Sequence, residues 1–170
     1  MKTLIHPLQT SRLRVEPITP TIARNAAEGS TELGEYLGAH VAREWWASNL
    51  RLLTARLNAP ERAIIIHRED HRVIGDLRFE PMRGSLRTYE LGYSIASEYR
   101  RQGIANEAAG AVLDWLFEEG EAERVIAGCD RRNRASVRTL RKLGFWLDGS
   151  RGDAFWWTIT PELRRDVTGA

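Results

Sequence analysis

The sequence predicts a mixed α/β fold. Two kinds of segment alternate along its 170 residues. Thr88 to Ile95 places Tyr89, Leu91, Tyr93 and Ile95 on one face of a strand and Glu90, Gly92, Ser94 and Ala96 on the other. Asn106 to Glu119 instead repeats its apolar residues at helical spacing, through Ala109, Val112, Leu113, Leu116 and Phe117. An apolar share of 42% with six tryptophans excludes an intrinsically disordered chain. The length suits one domain over 1–170, large enough to bury about two-thirds of its unfolded surface without disulfides or metal.

In chain order, Leu13-Arg14-Val15-Glu16 alternates and stops at Pro17, a short first strand. Pro20 to Leu57 has a helical pattern interrupted at Gly34 and Gly38, which predicts two or three helices. Ala63 to His67 and Val73 to Phe79 form two strands joined by the polar turn Arg68-Glu69-Asp70-His71. Then come the Thr88 to Ile95 strand, the Asn106 to Glu119 helix and a strand over Arg124 to Cys129. A second helix runs from Asn133 to Leu143 and is stopped by Gly144 in the C′ position. Phe145 to Leu147 and Ala154 to Ile159 close the sheet.

Several function classes have no support. No apolar run approaches the ~20 residues needed to span a bilayer. The segment from Met1 to Pro7 lacks the apolar stretch of a secretory signal, so a cytoplasmic location is expected. The one cysteine, Cys129, sits in the run Val125-Ile126-Ala127-Gly128-Cys129 and reads as a small buried hydrophobe. His67 and His71 flank a turn rather than sharing a helical face, so no metal is expected there. The phosphate-loop, dinucleotide and serine-hydrolase signatures are all missing.

One stretch carries chemistry. Arg100-Arg101-Gln102-Gly103-Ile104-Ala105-Asn106 leads from a strand region into a helix N-terminus. Such a junction offers free amide N–H groups and the positive end of the helix dipole to a pyrophosphate. Gly103 and Ala105 keep the approach to the backbone open, and Arg100 and Arg101 add charge.

With Arg100-x-x-Gly103-x-Ala105, the chain resembles the GNAT superfamily of acyl-CoA-dependent N-acyltransferases, whose pyrophosphate loop has this pattern. Glu90-Leu91-Gly92-Tyr93-Ser94-Ile95 is similar to the family's central strand. Asn133-Arg134-Ala135-Ser136 followed by Leu140-x-x-Leu143-Gly144-Phe145 is similar to its second block. Ser11-Arg12-Leu13-Arg14-Val15 and Trp157-x-Ile159-Thr160-Pro161 resemble the branch of ribosomal-protein N-terminal acetyltransferases. The resemblance implies a mixed, mostly antiparallel sheet flanked by helices and splayed at its central strands. It also implies acetyl-CoA as co-substrate, no metal, and a homodimer as one possible assembly.

The resemblance further implies that the pantetheine arm lies in the splay and pairs with the main chain of Tyr93, Ser94 and Ile95. The amides of Gly103, Ile104, Ala105 and Asn106, with Arg100 and Arg101, would hold the pyrophosphate, and Asn133 and Ser136 would also line the cofactor. Gly92 would leave room for the thioester, or be a plain strand glycine. The reaction is attack of an amine on a thioester carbonyl. An amine with a pKa near ~10.4 is protonated at neutral pH, so a base is needed. Glu90 is the candidate, with Glu80 and Asp76 as rivals and a solvated edge carboxylate as the plain alternative. A backbone N–H near Tyr93 or Ser94 would meet the oxyanion. The family often has a tyrosine three or four residues after the Asn133 position; here Ser136 and Val137 stand there. Ser136 is therefore the candidate acid for the leaving thiolate, unless its hydroxyl only serves the helix, and Asn133 suits an N-cap equally well.

Charge is segregated around this unit. The 25 basic residues comprise 23 Arg with Lys2 and Lys142, which base composition or selection for phosphate-gripping forks would each explain. Six acidic residues and no basic one lie between Glu107 and Glu123, and six basic ones against one acidic between Asp130 and Lys142. The acidic helix beside the basic one argues against direct nucleic-acid binding. Arg131, Arg134, Arg138 and Lys142 would face the CoA 3′-phosphate or water. Trp115 and Trp146 read as core, and one of Trp156 and Trp157 faces inward. Trp45 and Trp46 pack a core or line an acceptor pocket. The expected function is transfer of an acetyl group to an amine, on a protein N-terminus or a small molecule. The alternatives are another short acyl group, an antibiotic or polyamine acceptor, or a CoA-binding module without turnover.

Overall fold

A computed structural model of the chain describes residues 4–54, 61–85, 87–119 and 122–169. It has eight strands in the order β1-β2-β3-β4-β5-β6-β8-β7 and six helices, an open and mostly antiparallel mixed α/β sheet. Two compact units meet within β4 (Arg72–Pro81), one ending at Asp76 and the other starting at Leu77.

In the first unit, β1 (Leu8–Gln9) pairs antiparallel with β2 (Leu13–Pro17), and β2 with β3 (Arg62–His67). Three helices follow β2, at the upper end of the expected number: α1 (Pro20–Glu28), α2 (Ser30–Leu37) and α3 (Arg43–Thr54). The expected helical stretch beyond Thr54 lies outside the described residues. α1 opens on the Thr19 hydroxyl, which accepts the Ile22 N–H at 3.3 Å, with Pro20 in the first turn. Gly38 ends α2 in the left-handed region, at φ 61°.

Gly34 does not interrupt the helix as expected but sits inside α2. A Cβ there would come within 2.9 Å of the Ala39 carbonyl oxygen, so close backbone approach accounts for the glycine. Trp45 and Trp46 pack against the buried cluster containing Ile22, Leu33, Leu53 and Ile64. Trp46 Nε1 donates to the Ala26 carbonyl at 2.9 Å. Core packing is thus one role of this pair.

The second unit holds β5 (Thr88–Ile95), α4 (Ile104–Glu118), β6 (Arg124–Asp130), α5 (Arg134–Leu143), β7 (Trp146–Arg151), β8 (Ala154–Ile159) and α6 (Pro161–Thr168). Helix α4 buries Ile104, Ala108, Ala109, Val112, Leu113 and Leu116, and Trp115 meets Phe79 edge-to-face at 6.1 Å. Strand β8 pairs antiparallel with β6 and with β7. Trp157 is buried, as alternation requires of one of that tryptophan pair. Trp146, expected in the core, is 58% exposed. It opens β7, the strand at the sheet's edge, whose residues are all exposed.

Helix α6 was not expected. Its signals are Thr160 at the N-cap and Pro161 in the first turn. It is tied down by Arg164, which donates Nε to Asp114 Oδ1 at 2.7 Å and Nη2 to Asp114 Oδ2 at 3.1 Å. The same guanidinium reaches the carbonyls of Leu143 at 3.4 Å and Gly110 at 3.5 Å.

Candidate active site

The site begins where two parallel strands part. β5 and β6 are in register at Thr88↔Arg124, Tyr89↔Val125 and Glu90↔Ile126, and the pairing stops there. β5 nevertheless continues to Ile95 and β6 to Asp130, the latter paired on its other side with β8. The main chain from Leu91 to Ile95 therefore faces a gap on its β6 side. Unpaired strand N–H and C=O groups accept an extended ligand as if it were an added strand. Tyr93, Ser94 and Ile95, the predicted cofactor contacts on this strand, all lie within that stretch.

Alternation sorts the β5 side chains. Glu90 stands at the last paired position, with Gly92 on the same face two residues on. Arg78, on β4, donates Nη2 to Glu90 Oε1 at 3.0 Å, both side chains being partly exposed. The same guanidinium lies over Gly92, where a Cβ would meet Arg78 Nη2 at 3.3 Å and Nε at 3.5 Å. Passage of the Arg78 side chain is thus one reason for a glycine here, beside the room it would leave for a thioester. Arg78 was not singled out from the sequence, because nothing local links it to Glu90.

Tyr93 points from the opposite face. Its hydroxyl lies 3.0 Å from Ser136 Oγ, on the first turn of α5. The Ser136 N–H is accepted by Asn133 Oδ1 at 3.0 Å, so Asn133 is the N-cap, one of its expected roles. Burial pushes the Tyr93 phenol above its ordinary value of 10.0, and hydrogen bonding with Ser136 and Thr139 pulls the other way. At neutral pH the phenol keeps its hydrogen.

Beyond Ile95 the chain makes one 3₁₀ turn, Ser97–Tyr99, and enters the arginine–glycine loop. Arg101 and Gly103 both take left-handed backbone, at φ 65° and 80°. Gly103 is the N-cap of α4, and no side chain caps the helix. The first helical bond runs from Glu107 N–H to the Gly103 carbonyl at 3.0 Å. The amides of Ile104, Ala105 and Asn106 thus have no acceptor within the helix. Ile104 is buried, its side chain packed into the core. Asn106 Oδ1 is buried with no hydrogen-bond partner among the described residues, an acceptor that a bound molecule could satisfy. Arg100 Nε donates to the Ile95 carbonyl at 2.8 Å and so closes the loop onto the end of β5.

Comparison with known proteins decides the family. The acetyltransferase (GNAT) domain family matches residues 12–146. The chain belongs to the GNAT acetyltransferases. An uncharacterized N-acetyltransferase of Bacillus subtilis, YjdG, is 26% identical over 153 residues, covering 83% of this chain and 90% of that one. The ribosomal-protein-serine acetyltransferase of Escherichia coli is 29% identical over 85 residues, 50% of this chain and 47% of that one. A crystal structure of a GNAT-family acetyltransferase from Bacillus anthracis superposes with a TM-score of 0.69 at 21% identity, covering 92% of this chain and 99% of that one.

A GNAT enzyme uses acetyl-CoA, and three features of this chain fit that molecule: the unpaired β5 main chain, the uncapped amides at the start of α4, and the unsatisfied Asn106 oxygen. Beyond the loop, Arg134, Arg138 and Lys142 are exposed along α5. Arg131 and Arg141 lie over the rings of Phe155 and Trp157, at 5.3 and 5.7 Å from the ring centroids. Part of the arginine excess therefore covers aromatic surface. Among the described residues no group of His, Cys, Asp and Glu could hold a metal ion, and no helix is long and apolar enough to cross a membrane.

Proposed function

We propose that the whole chain works as one N-acetyltransferase domain, moving the acetyl group of acetyl-CoA onto a primary amine by direct attack in a ternary complex. The observation that carries this is the parting of β5 from β6 immediately after Glu90, with an uncapped helix N-terminus following on the same strand. The residues fit four tasks. The amides of Gly103 to Asn106, with Arg101 and the outer nitrogens of Arg100, hold the pyrophosphate. The main chain of Tyr93, Ser94 and Ile95 pairs with the pantetheine arm, and an N–H near Tyr93 or Ser94 faces the carbonyl oxygen as charge builds on it. Glu90 takes the proton of the attacking amine, directly or through water, oriented by Arg78. Ser136 faces the leaving sulfur. The C–N bond forms, the C–S bond breaks and the electron pair departs on sulfur.

The acceptor is an amine of a protein N-terminus or a small molecule. The half-length match to the ribosomal-protein-serine acetyltransferase supports the first. A cytoplasmic setting is consistent with either. The test is thiol release from acetyl-CoA against protein N-terminal peptides, polyamines, aminoglycosides and amino-acid analogues. Glu90→Gln should lower kcat at least ~100-fold, within the usual span for a lost general base, while acetyl-CoA still raises the melting temperature. No thiol release with any amine refutes the proposal. The ion pair that occupies Glu90 favours a second reading, a CoA-binding module without turnover, which predicts a melting shift and no rate for Glu90→Gln to reduce.

A further inference from the structure

On the face of β5 away from Glu90, one contact is left unused by the chemistry so far: the pair of hydroxyls shared by Tyr93 and Ser136, 3.0 Å apart. They come from different elements, β5 and α5, and Tyr93 lies in the stretch of β5 that β6 no longer covers. Each hydroxyl has one hydrogen to donate and lone pairs to accept with. In the pair, one of the two hydrogens is spent and the other is left for a further partner, which for the phenol is Thr139. Which one is decided by the surroundings. The phenol is the more acidic and therefore the better donor, and burial keeps it protonated. Thr139 and Cys129 are the other groups that act on it from α5 and β6. Ser136 in turn cannot drift, because its own N–H is fixed by the Asn133 cap.

We infer that Tyr93 is a positioning residue for the acetyl transfer: its phenol donates to Ser136 Oγ and so directs the serine hydrogen to the sulfur leaving from acetyl-CoA. This rests on the function proposed above. No proton needs to cross. As the C–S bond breaks, the electron pair settles on sulfur and is met by the Ser136 hydrogen bond. The amine's proton goes to Glu90, and the released thiolate takes its own proton from water. A thiol is already a fair leaving group, with a pKa near ~8.5, so a hydrogen bond suffices where an alkoxide would need full protonation. The arrangement gives the α5 position occupied by serine the help of a tyrosine from another element.

The test uses the full chain with Tyr93→Phe, Ser136→Ala and the double variant. With acetyl-CoA, each single variant should lose about tenfold in kcat, as expected for one hydrogen bond to a charged atom, with KM for acetyl-CoA unchanged within about twofold. The double variant should be no slower than the slower single one, since both remove the same hydrogen bond. With an acetyl thioester of an aromatic thiol, which leaves without help, both losses should shrink towards unity.

A second readout needs no turnover. Thiolate absorbance of bound CoA, after subtracting a titration with desulfo-CoA, should show the wild-type complex ionising its thiol at lower pH than either variant. Wild-type kcat in Tyr93→Phe together with an unmoved thiol titration overturns the inference. So does a loss that is additive in the double variant, or equal with both donors, which marks a merely structural contact. If wild type transfers acetyl to no amine, the proposed function fails, while the thiol titration still judges the hydroxyl pair. No CoA binding at all overturns both.

Discussion

Gly92→Ala separates two reasons for a glycine on the central strand. The added Cβ would stand 3.3 Å from Arg78 Nη2, 3.5 Å from Nε and 3.6 Å from Cζ. The atoms it meets are the far end of a flexible side chain, so Arg78 gives way and the backbone stays. Stability then changes little. Replacing a strand glycine gains about 0.5–1 kcal/mol, and loosening a partly exposed ion pair loses a similar amount. The two nearly cancel, leaving the melting temperature within about 3 °C of wild type. Activity is different, because the displaced guanidinium is the one that orients Glu90. A loss of about tenfold in kcat is expected, with the KM for acetyl-CoA unchanged. The deciding assay is the same substitution made on Arg78→Ala. With no guanidinium to displace, Gly92→Ala should cost less than about twofold further, a coupling on the order of 1 kcal/mol. If Gly92→Ala costs the same in both backgrounds and raises KM, the glycine is there to admit the thioester, and the account based on Arg78 is wrong.

Three other outcomes follow from the second unit. Arg164→Met should lower the melting temperature by roughly 4–10 °C, because it strands Asp114 and leaves the Leu143 and Gly110 carbonyls short of a donor, costing about 2–3 kcal/mol; an unchanged midpoint by calorimetry would show that α6 is not held this way. Gly103→Ala forces a Cβ into left-handed backbone at φ 80°, costing about 1–2 kcal/mol, and should weaken acetyl-CoA binding in a melting-shift titration; equal affinity would remove the loop from the binding site. For Tyr93 the native phenol titrates above 10.0, so the unfolded chain ionises first as pH rises. Its contribution is intact below pH 10 and is lost as pH climbs through the native value. The stability gap between wild type and Tyr93→Phe, followed by denaturant unfolding, should therefore close above about pH 10; a gap that widens there contradicts the raised value.

What could be read from the residues divides along physical lines. β5 and β8 were placed to the residue, at Thr88–Ile95 and Ala154–Ile159, because alternation and bounding turns both mark their ends. α5 was legible because Asn133 and Gly144 are strong local start and stop signals. α4 starts two residues before the expected Asn106, since Gly103 caps it and Ile104 turns inward. Local chemistry failed where the cause was distant. Gly34 looked like a break because its neighbour Ala39 is near only in the folded chain. Trp146 looked like core because nothing local says that β7 is an edge. The site shows the same division. The arginine–glycine loop and Glu90 are visible in the sequence, whereas the Arg78–Glu90 contact and the Tyr93–Ser136 contact are made by strand pairing and helix packing. No spacing rule predicts either.

In the function proposed above, the geometry of one strand keeps two opposed chemical tasks apart. There, attack draws on a charged carboxylate, and departure of the thiolate on a neutral hydroxyl. Placed together, each would spoil the other, since a carboxylate near a phenol would take up its hydrogen bond. β5 keeps them apart by alternation alone. Glu90 and Tyr93 are three positions apart, about 10 Å along an extended strand, and project from opposite faces. Between them lies main chain that has lost its β6 partner and is free to hold a substrate by backbone pairing. Arg78 confines the carboxylate to one face, while Ser136 and the Asn133 cap confine the hydroxyls to the other. A single-residue slip of β5 would exchange the faces and turn the carboxylate away from Arg78 and the phenol away from Ser136, so the register at Thr88, Tyr89 and Glu90 matters to the proposed chemistry as well as to the fold.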